Sequence, residues 1–350
     1  MQTSTDCNMI DGPRSGNEEK LMEEVVYPRQ IVTCVAFSDD GKELAFGCKD
    51  YDYNEYNDDN EDFGATVTVI YTRNGLVKWR TVLHKSSNVK HIFFGQYVIA
   101  FVEMERNASR IVTIDMSGHV VKSEISSSSP IQRVSKPKPG ILVYGTKSGE
   151  LYMRRERTPT RDSVQNRSFL RCDEDINDYA CIDATTVITA LEGGHVVKWT
   201  KGFHYNDRII QSPRTDHNAA VIKIAVHISH ACIAVATRDR KLDIVHVPSW
   251  TIVGSATLYS NVYDLVWLHH NFNIVVILDD ENRTIETWDW TGQQLARIEP
   301  SPIHLGIDDY ANCITTYGSH GIAAIGTTEG RVKIMSTVPR LIFQENAELL

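Results

Sequence analysis

A short phrase recurs about every 45 residues along this chain, and its period limits the fold more than any bulk property does. Each copy runs as an apolar strand, a turn, a glycine or polar stand-in, then alternating apolar residues. The copies are Tyr144–Met153 (YGTKSGELYM), Ala190–Trp199 (ALEGGHVVKW), Ala236–Val245 (ATRDRKLDIV), Leu278–Trp288 (LDDENRTIETW) and Gly326–Met335 (GTTEGRVKIM). Their turns, at Ser148, Gly193, Asp239, Asn282 and Glu329, are spaced by 45, 46, 43 and 47 residues. Strands and turns repeating at this period, with no amphipathic helical stretch between them, predict an all-β, seven-bladed β-propeller of four-stranded antiparallel blades.

Length alone, at 350 residues, suggests two domains. Seven blades of this size make one closed ring instead. The expected organisation is a disordered N-terminal tail over residues 1–20, polar and rich in Gly, Ser and Asn, then one propeller domain over 21–350. The first blade is expected to open at Val32–Phe37, turn through Ser38–Gly41 and return over Glu43–Cys48. An Asp-Asp-Gly between alternating apolar residues is a hairpin signal. Ala65–Tyr71 and Leu76–Val82, joined at Asn74–Gly75, complete that blade. The later blades are placed at 89–125, 131–171, 179–211, 220–258, 262–298 and 312–343. Two arrangements could close the ring. Arg340–Phe343 could supply the outer strand of blade seven, with Glu24–Tyr27 added outside or beneath it, or an N-terminal strand could complete that blade. Either protects an open sheet edge.

The net charge of −9 argues against a general binder of nucleic acid or membrane surfaces, which needs a basic face. Seven cysteines (Cys7, Cys34, Cys48, Cys172, Cys181, Cys232 and Cys313) are odd in number and form no C-x-x-C pair. Neither a zinc site nor a disulfide framework is therefore expected. Residues 1–20 carry no apolar signal core, and no eighteen apolar residues run together. The expected location is intracellular, cytoplasmic or nuclear, which makes the sequons at Asn107, Asn166 and Asn282 incidental.

The Phe37–Gly41 hairpin (FSDDG) and the strand endings Lys198-Trp199 and Trp288-Asp289 resemble the WD-repeat propeller family, and the resemblance covers Val32–Phe343. The chain departs from that family in having one Trp-Asp dipeptide and no Gly-His before each blade; Gly194-His195 lies elsewhere in the repeat. It therefore reads as a divergent, WD-like propeller. The family's hydrogen-bond network from His through Asp to Trp does not carry over to any blade.

One insertion stands out, Asp50–Asp62 (DYDYNEYNDDNED), between the second and third strands of blade one. In WD-like propellers that connection opens on the narrow face. Asp50, Asp52, Asn54, Asp58 and Glu61 fall at calcium-loop positions 1, 3, 5, 9 and 12, but Glu55 stands where the sharp turn needs glycine. A solvated acidic loop is one reading. The other is a docking loop for a partner with a basic surface, built from Asp50, Asp52, Glu55, Asp58 and Asp59, with Tyr51, Tyr53 and Tyr56 supplying contact area. A basic connection follows the third strand of blade three, with Arg154, Arg155 and Arg157 as arginine forks for phosphate or an acidic peptide. It belongs on the opposite face.

Other motifs dissolve on inspection. Gly140–Ser148 has a phosphate-loop outline, but its middle is a strand and no helix follows. Ser38–Gly41 is one residue short of an Asp-box and is followed by Leu44 rather than Trp. The pairs His227/His230 and His269/His270 have no acidic partner at a convergent spacing, and H-E-x-x-H and G-x-S-x-G are absent. Thr158-Pro159, Ser212-Pro213 and Ser301-Pro302 are weak proline-directed phosphorylation patterns. Residues 277–290 resemble the box by which some WD-repeat proteins dock on cullin-type ubiquitin ligases, except that Thr291 replaces its arginine. The resemblance and the missing catalytic set together imply a non-catalytic scaffold without cofactor, presenting loops to partner proteins within a complex. Three alternatives stay open. One is a ligase substrate adaptor; another is a hydrolase with a central-channel site, for which Asp183, Asp264 and Asp309 are the candidates; the third is nucleic-acid binding through the arginine-rich connection of blade three.

Overall fold

The computed structural model describes residues 25–26, 30–50, 64–83, 87–104, 109–127, 131–138, 141–146, 148–155, 168–171, 174–182, 186–200, 210–217, 219–227, 229, 231–268, 272–292, 294–298, 309–317 and 321–336. Every regular element among them is a strand. Blade one comprises β2 (Gln30–Phe37), β3 (Glu43–Asp50), β4 (Thr66–Tyr71) and β5 (Val77–Val82). Blade two comprises β6 (Asn88–Phe94), β7 (Val98–Glu103), β8 (Ser109–Ile114) and β9 (Val120–Ser127). Blade three is β10 (Ile131–Lys138), β11 (Ile141–Thr146), β12 (Glu150–Arg155) and β13 (Ser168–Arg171). Blade four is β14 (Ile176–Cys181), β15 (Thr186–Leu191), β16 (His195–Thr200) and β17 (Ile210–Asp216). Blades five and six run β18 (Val221–Val226) to β21 (Thr251–Thr257) and β22 (Val262–Leu268) to β25 (Leu295–Ile298). Each sheet is antiparallel and in chain order.

Blade seven settles how the ring closes. Its first three strands are β26 (Ala311–Tyr317), β27 (Ile322–Thr327) and β28 (Arg331–Ser336), and its fourth is β1 (Val25–Val26), paired antiparallel as Val25↔Val332 and Val26↔Arg331. The N-terminal strand therefore completes the last blade and covers the β28 edge. Arg340–Phe343 lies outside the described residues. Blade four is longer than expected, beginning at Ile176 and ending at Asp216.

The first strand of each blade lies innermost, and the seven touch in sequence, β2 to β6, β10, β14, β18, β22, β26 and back to β2. The second strands are apolar and buried along nearly their whole length, as in β7, β15 and β27, so both sheet faces must be covered. Neighbouring blades cover them. The buried apolar residues form one cluster at every seam, from Val69 and Phe94 between blades one and two to Val32 and Ile334 between seven and one. The largest seam joins blades five and six, where Trp267, Trp288 and Trp290 meet Leu242 and Ile244.

Every inner strand is bulged at the same place. Its register slips after the first buried apolar residue, at Val32/Cys34, Val89/His91, Ile131/Arg133, Ile176/Asp178, Val221/Lys223, Val262/Asp264 and Ala311/Cys313. The extra residue re-aims its side chain at the next blade. Asn177 Nδ2 donates to Val221 O at 2.9 Å, Asn312 Nδ2 to Val32 O at 2.8 Å, and Thr33 Oγ1 to Val89 O. Tyr263 OH donates to Asn312 Oδ1 at 3.0 Å.

The recurring turn also has a backbone cause. Gly149, Gly194 and Gly330 sit at φ of +80°, +85° and +74°, with Arg240 and Arg283 at the same place at +65° and +47°. The turn demands a left-handed residue, which glycine accepts without strain and other residues accept at a cost.

Candidate functional site

Antiparallel order divides the connections between two faces. Connections from second to third strand, and from blade to blade, emerge on one face, called upper here. Connections from first to second and from third to fourth strand emerge on the lower face. Asp50 ends β3 at the upper face, and the segment continuing from it joins β3 to β4 there. Tyr51, Asp52, Tyr53, Glu55, Tyr56, Asp58 and Asp59 lie outside the described residues. Arg154 and Arg155 end β12 at the lower face, paired with Leu142 and Ile141. Arg157 lies outside the described residues.

The described part of the upper face is acidic. Its connections carry Glu174, Asp175, Glu192, Asp239, Asp279, Asp280, Glu281 and Glu329 against Arg238, Arg240 and Arg283. Glu192 receives a bidentate contact from Arg238, at 2.5 and 2.9 Å, and a 2.8 Å bond from Asn177 Nδ2. The Arg238 bonds, followed by that from Asn177, hold its carboxyl below the usual range. Bonding from Thr237 does the same for Asp239, with Lys241 adding to it. At Asp280 partial burial pulls the other way, but the Tyr259 hydroxyl at 2.5 Å and Thr284 outweigh it and keep its pKa low. These groups are anionic at neutral pH.

The channel wall shows what the inner-strand aspartates do. Asp178 Oδ2 accepts the Ile224 N–H of the next blade at 2.9 Å, and its Oδ1 accepts that of Tyr179 at 2.9 Å. Asp264 repeats the pattern two blades on, accepting from Ile314 N at 3.3 Å and Leu265 N at 3.0 Å. Arg133 reaches from blade three to pair with Asp178 and to donate to Ile224 O in blade five at 3.0 Å. Burial works against the Arg133 charge, yet the carboxylates of Asp178 and Asp264 outweigh it and push its pKa up. Both aspartates thus tie blades together. Asp309 is buried in the connection before β26, with Arg331 Nε 3.7 Å away. Asp183 lies outside the described residues. The carboxylate set imagined for a channel hydrolase is therefore committed to backbone amides at Asp264 and displaced to a linker at Asp309.

Two cavities stand apart from these carboxylates. One, of about 310 Å³, is bounded at the lower ends of blades seven, one and two by Phe37, Phe93, Phe94, Thr316 and Tyr317. The other, of about 240 Å³, is bounded by His217, Thr237, Asp239, Lys241, Asp243, Ile252 and Ser255 in blade five and the linker that enters it. His217 Nδ1 is 2.8 Å from Asp243 Oδ2, and Ser255 Oγ donates to Asp243 Oδ1 at 2.6 Å. Sequence reasoning passed over Arg133, Asp178 and His217. The only signal was polar residues at corresponding repeat positions. Elsewhere in the same layer Trp199 Nε1 donates to Thr189 Oγ1 at 2.8 Å.

No protein-family model matches the sequence, and no curated protein matches it. Among solved structures, a chain in the crystal structure of a mitotic checkpoint complex superposes with a TM-score of 0.70 at 13 % identity, over 97 % of this chain and 98 % of that one. At that identity the likeness is one of fold, and together with the seven closed seams it makes this chain a seven-bladed β-propeller.

Proposed function

We propose that this chain is a non-catalytic, WD-like interaction scaffold that docks a partner protein with a basic surface on its upper face, as a subunit of a larger assembly. The observation that carries the reading is the contrast between two sets of carboxylates. Those of the inner strands are spent on inter-blade amides, whereas Glu192, Asp239 and Asp280 of the upper turns are ionised and reach the surface. A stiff ring with charged turns on one side offers a large, pre-formed surface at little ordering cost. The acidic run Asp50–Asp62 begins where β3 ends on the same face, and Tyr51, Tyr53 and Tyr56 are assigned as its contact residues. The fold's likeness to a chain from a multiprotein complex supports the assembly role by analogy. The ligase-adaptor alternative finds no support at Thr291, whose hydroxyl lies 3.3 Å from Gln294 O in the blade-six hairpin and presents no charge.

The test is affinity purification with quantitative mass spectrometry, comparing the intact chain with a variant lacking residues 51–62. A partner recovered in stoichiometric amount that drops away from the variant, and from the intact chain at high salt, supports the reading. Partners that persist unchanged place binding elsewhere. Recovery of none removes the scaffold role.

A further inference from the structure

The blade-five cavity contains a buried group that its surroundings leave unanswered. The His217 side chain is 2 % exposed and that of Asp243 is 6 % exposed. With Nδ1 bonded to Asp243, His217 keeps its second ring nitrogen, Nε2, buried without a hydrogen-bond partner. Such an orphan is costly unless something arrives to satisfy it. With Nδ1–H donating to Asp243, the neutral tautomer of His217 offers a lone pair at Nε2.

Beside His217 the cavity is lined by the acceptors Asp239, Asp243 and Ser255, by Thr237 and Ile252, and by the Lys241 ammonium. Ser255 spends its proton on Asp243 and keeps its oxygen lone pairs. Thr237 Oγ1 donates to Asp239 Oδ1. The other Asp239 oxygen meets one ammonium, Lys241 Nζ, at 3.6 Å, with both side chains more than a third exposed. The Asp239 carboxylate therefore already draws one ammonium to this cavity, while His217 Nε2 goes unused. Among the described residues no group of three or more His, Cys, Asp or Glu is placed to hold a metal ion. Three acceptors and a volume of about 240 Å³ suit a group with three donors on a slender apolar stem, for which Ile252 supplies an apolar wall.

We propose that this cavity is a recognition pocket for a primary ammonium, the lysine side chain of a partner protein, with His217 Nε2, Ser255 Oγ and the Asp239 carboxylate as its acceptors. The inference rests on the upper-face docking reading and narrows it to one side chain. The test is made on the full chain, without any partner, using Nα-acetyl-lysine methylamide as probe and its norleucine analogue as control. Imidazole nitrogen resonances of the histidine-labelled protein are followed by NMR, with His217→Gln identifying the His217 signals. The expected result is a saturable shift of the His217 Nε2 signal with the lysine compound alone, and an affinity at least about threefold weaker in Asp239→Asn, an exposed turn substitution. No shift at tens of millimolar, or an equal shift with the norleucine compound, overturns the proposal. Since partner capture plays no part here, a negative result leaves the docking reading standing, and loss of that reading leaves this measurement interpretable.

Discussion

Thr33, Asn177 and Asn312 occupy the same bulged position in three inner strands, and each donates to the carbonyl that precedes the bulge in the next blade. One residue further on, Asp178 and Asp264 accept from the next blade's amides. Asp178→Ala strips a partner from Ile224 N–H and leaves the Arg133 charge unpaired, so a loss of about 3–5 kcal/mol is expected. Urea unfolding measures it; a loss below about 1 kcal/mol would mean that the contact is incidental. Cysteine behaviour follows from burial alone. Burial pushes the Cys34 and Cys48 thiols up to about 12 and that of Cys313 well above the ordinary value. In the native protein at pH 8 these three should resist alkylation while unfolded chain reacts, as mass spectrometry of labelled peptides can show. The thiols were legible in the sequence as small hydrophobes in apolar strands. Arg133 and Asp178 were not, because their value depends on the Ile224 carbonyl and amide that blade five, 91 and 46 residues on, brings opposite them.

At the scale of elements, the repeat period, the hairpins and all of blade six, residues 262–298, were legible, because alternation and turn residues are local signals. The turn phrase itself had a local cause, a left-handed residue filled by glycine three times and by Arg240 and Arg283 twice. Ring closure was not legible. Val25–Val26 is too short to read as a strand, and only its pairing with Val332 and Arg331 makes it one. A chain starting at residue 30 should lose that pairing and expose the β28 edge, with a lower thermal midpoint and concentration-dependent association. Scanning calorimetry and size-exclusion chromatography together test this, and an unchanged midpoint in a monomeric truncated chain contradicts it.

For the whole molecule, charge and fold divide the work. The acidic segment was conspicuous in the sequence. That the turns of blades four, five, six and seven share the face at which β3 ends was not, since face is a property of the closed ring. Glu192, Asp239 and Asp280 all have depressed pKa values. Depressed carboxylates add stability that is present above their unfolded pKa, about 4, and that is lost as pH falls through the lower folded values. The urea midpoint should therefore decline as pH is lowered from 5 to 2, and neutralising these three residues together should flatten that decline.

Hydrogen exchange on the intact chain, alone and with its captured partner, tests upper-face docking most directly. Protection is expected at Glu192–Gly194, Asp239–Lys241, Asp279–Glu281 and Glu329–Gly330, with the lower turns at Ser38–Lys42 and Asp115–Gly118 unchanged. Protection confined to those lower turns, or to the outer strands, would contradict the account.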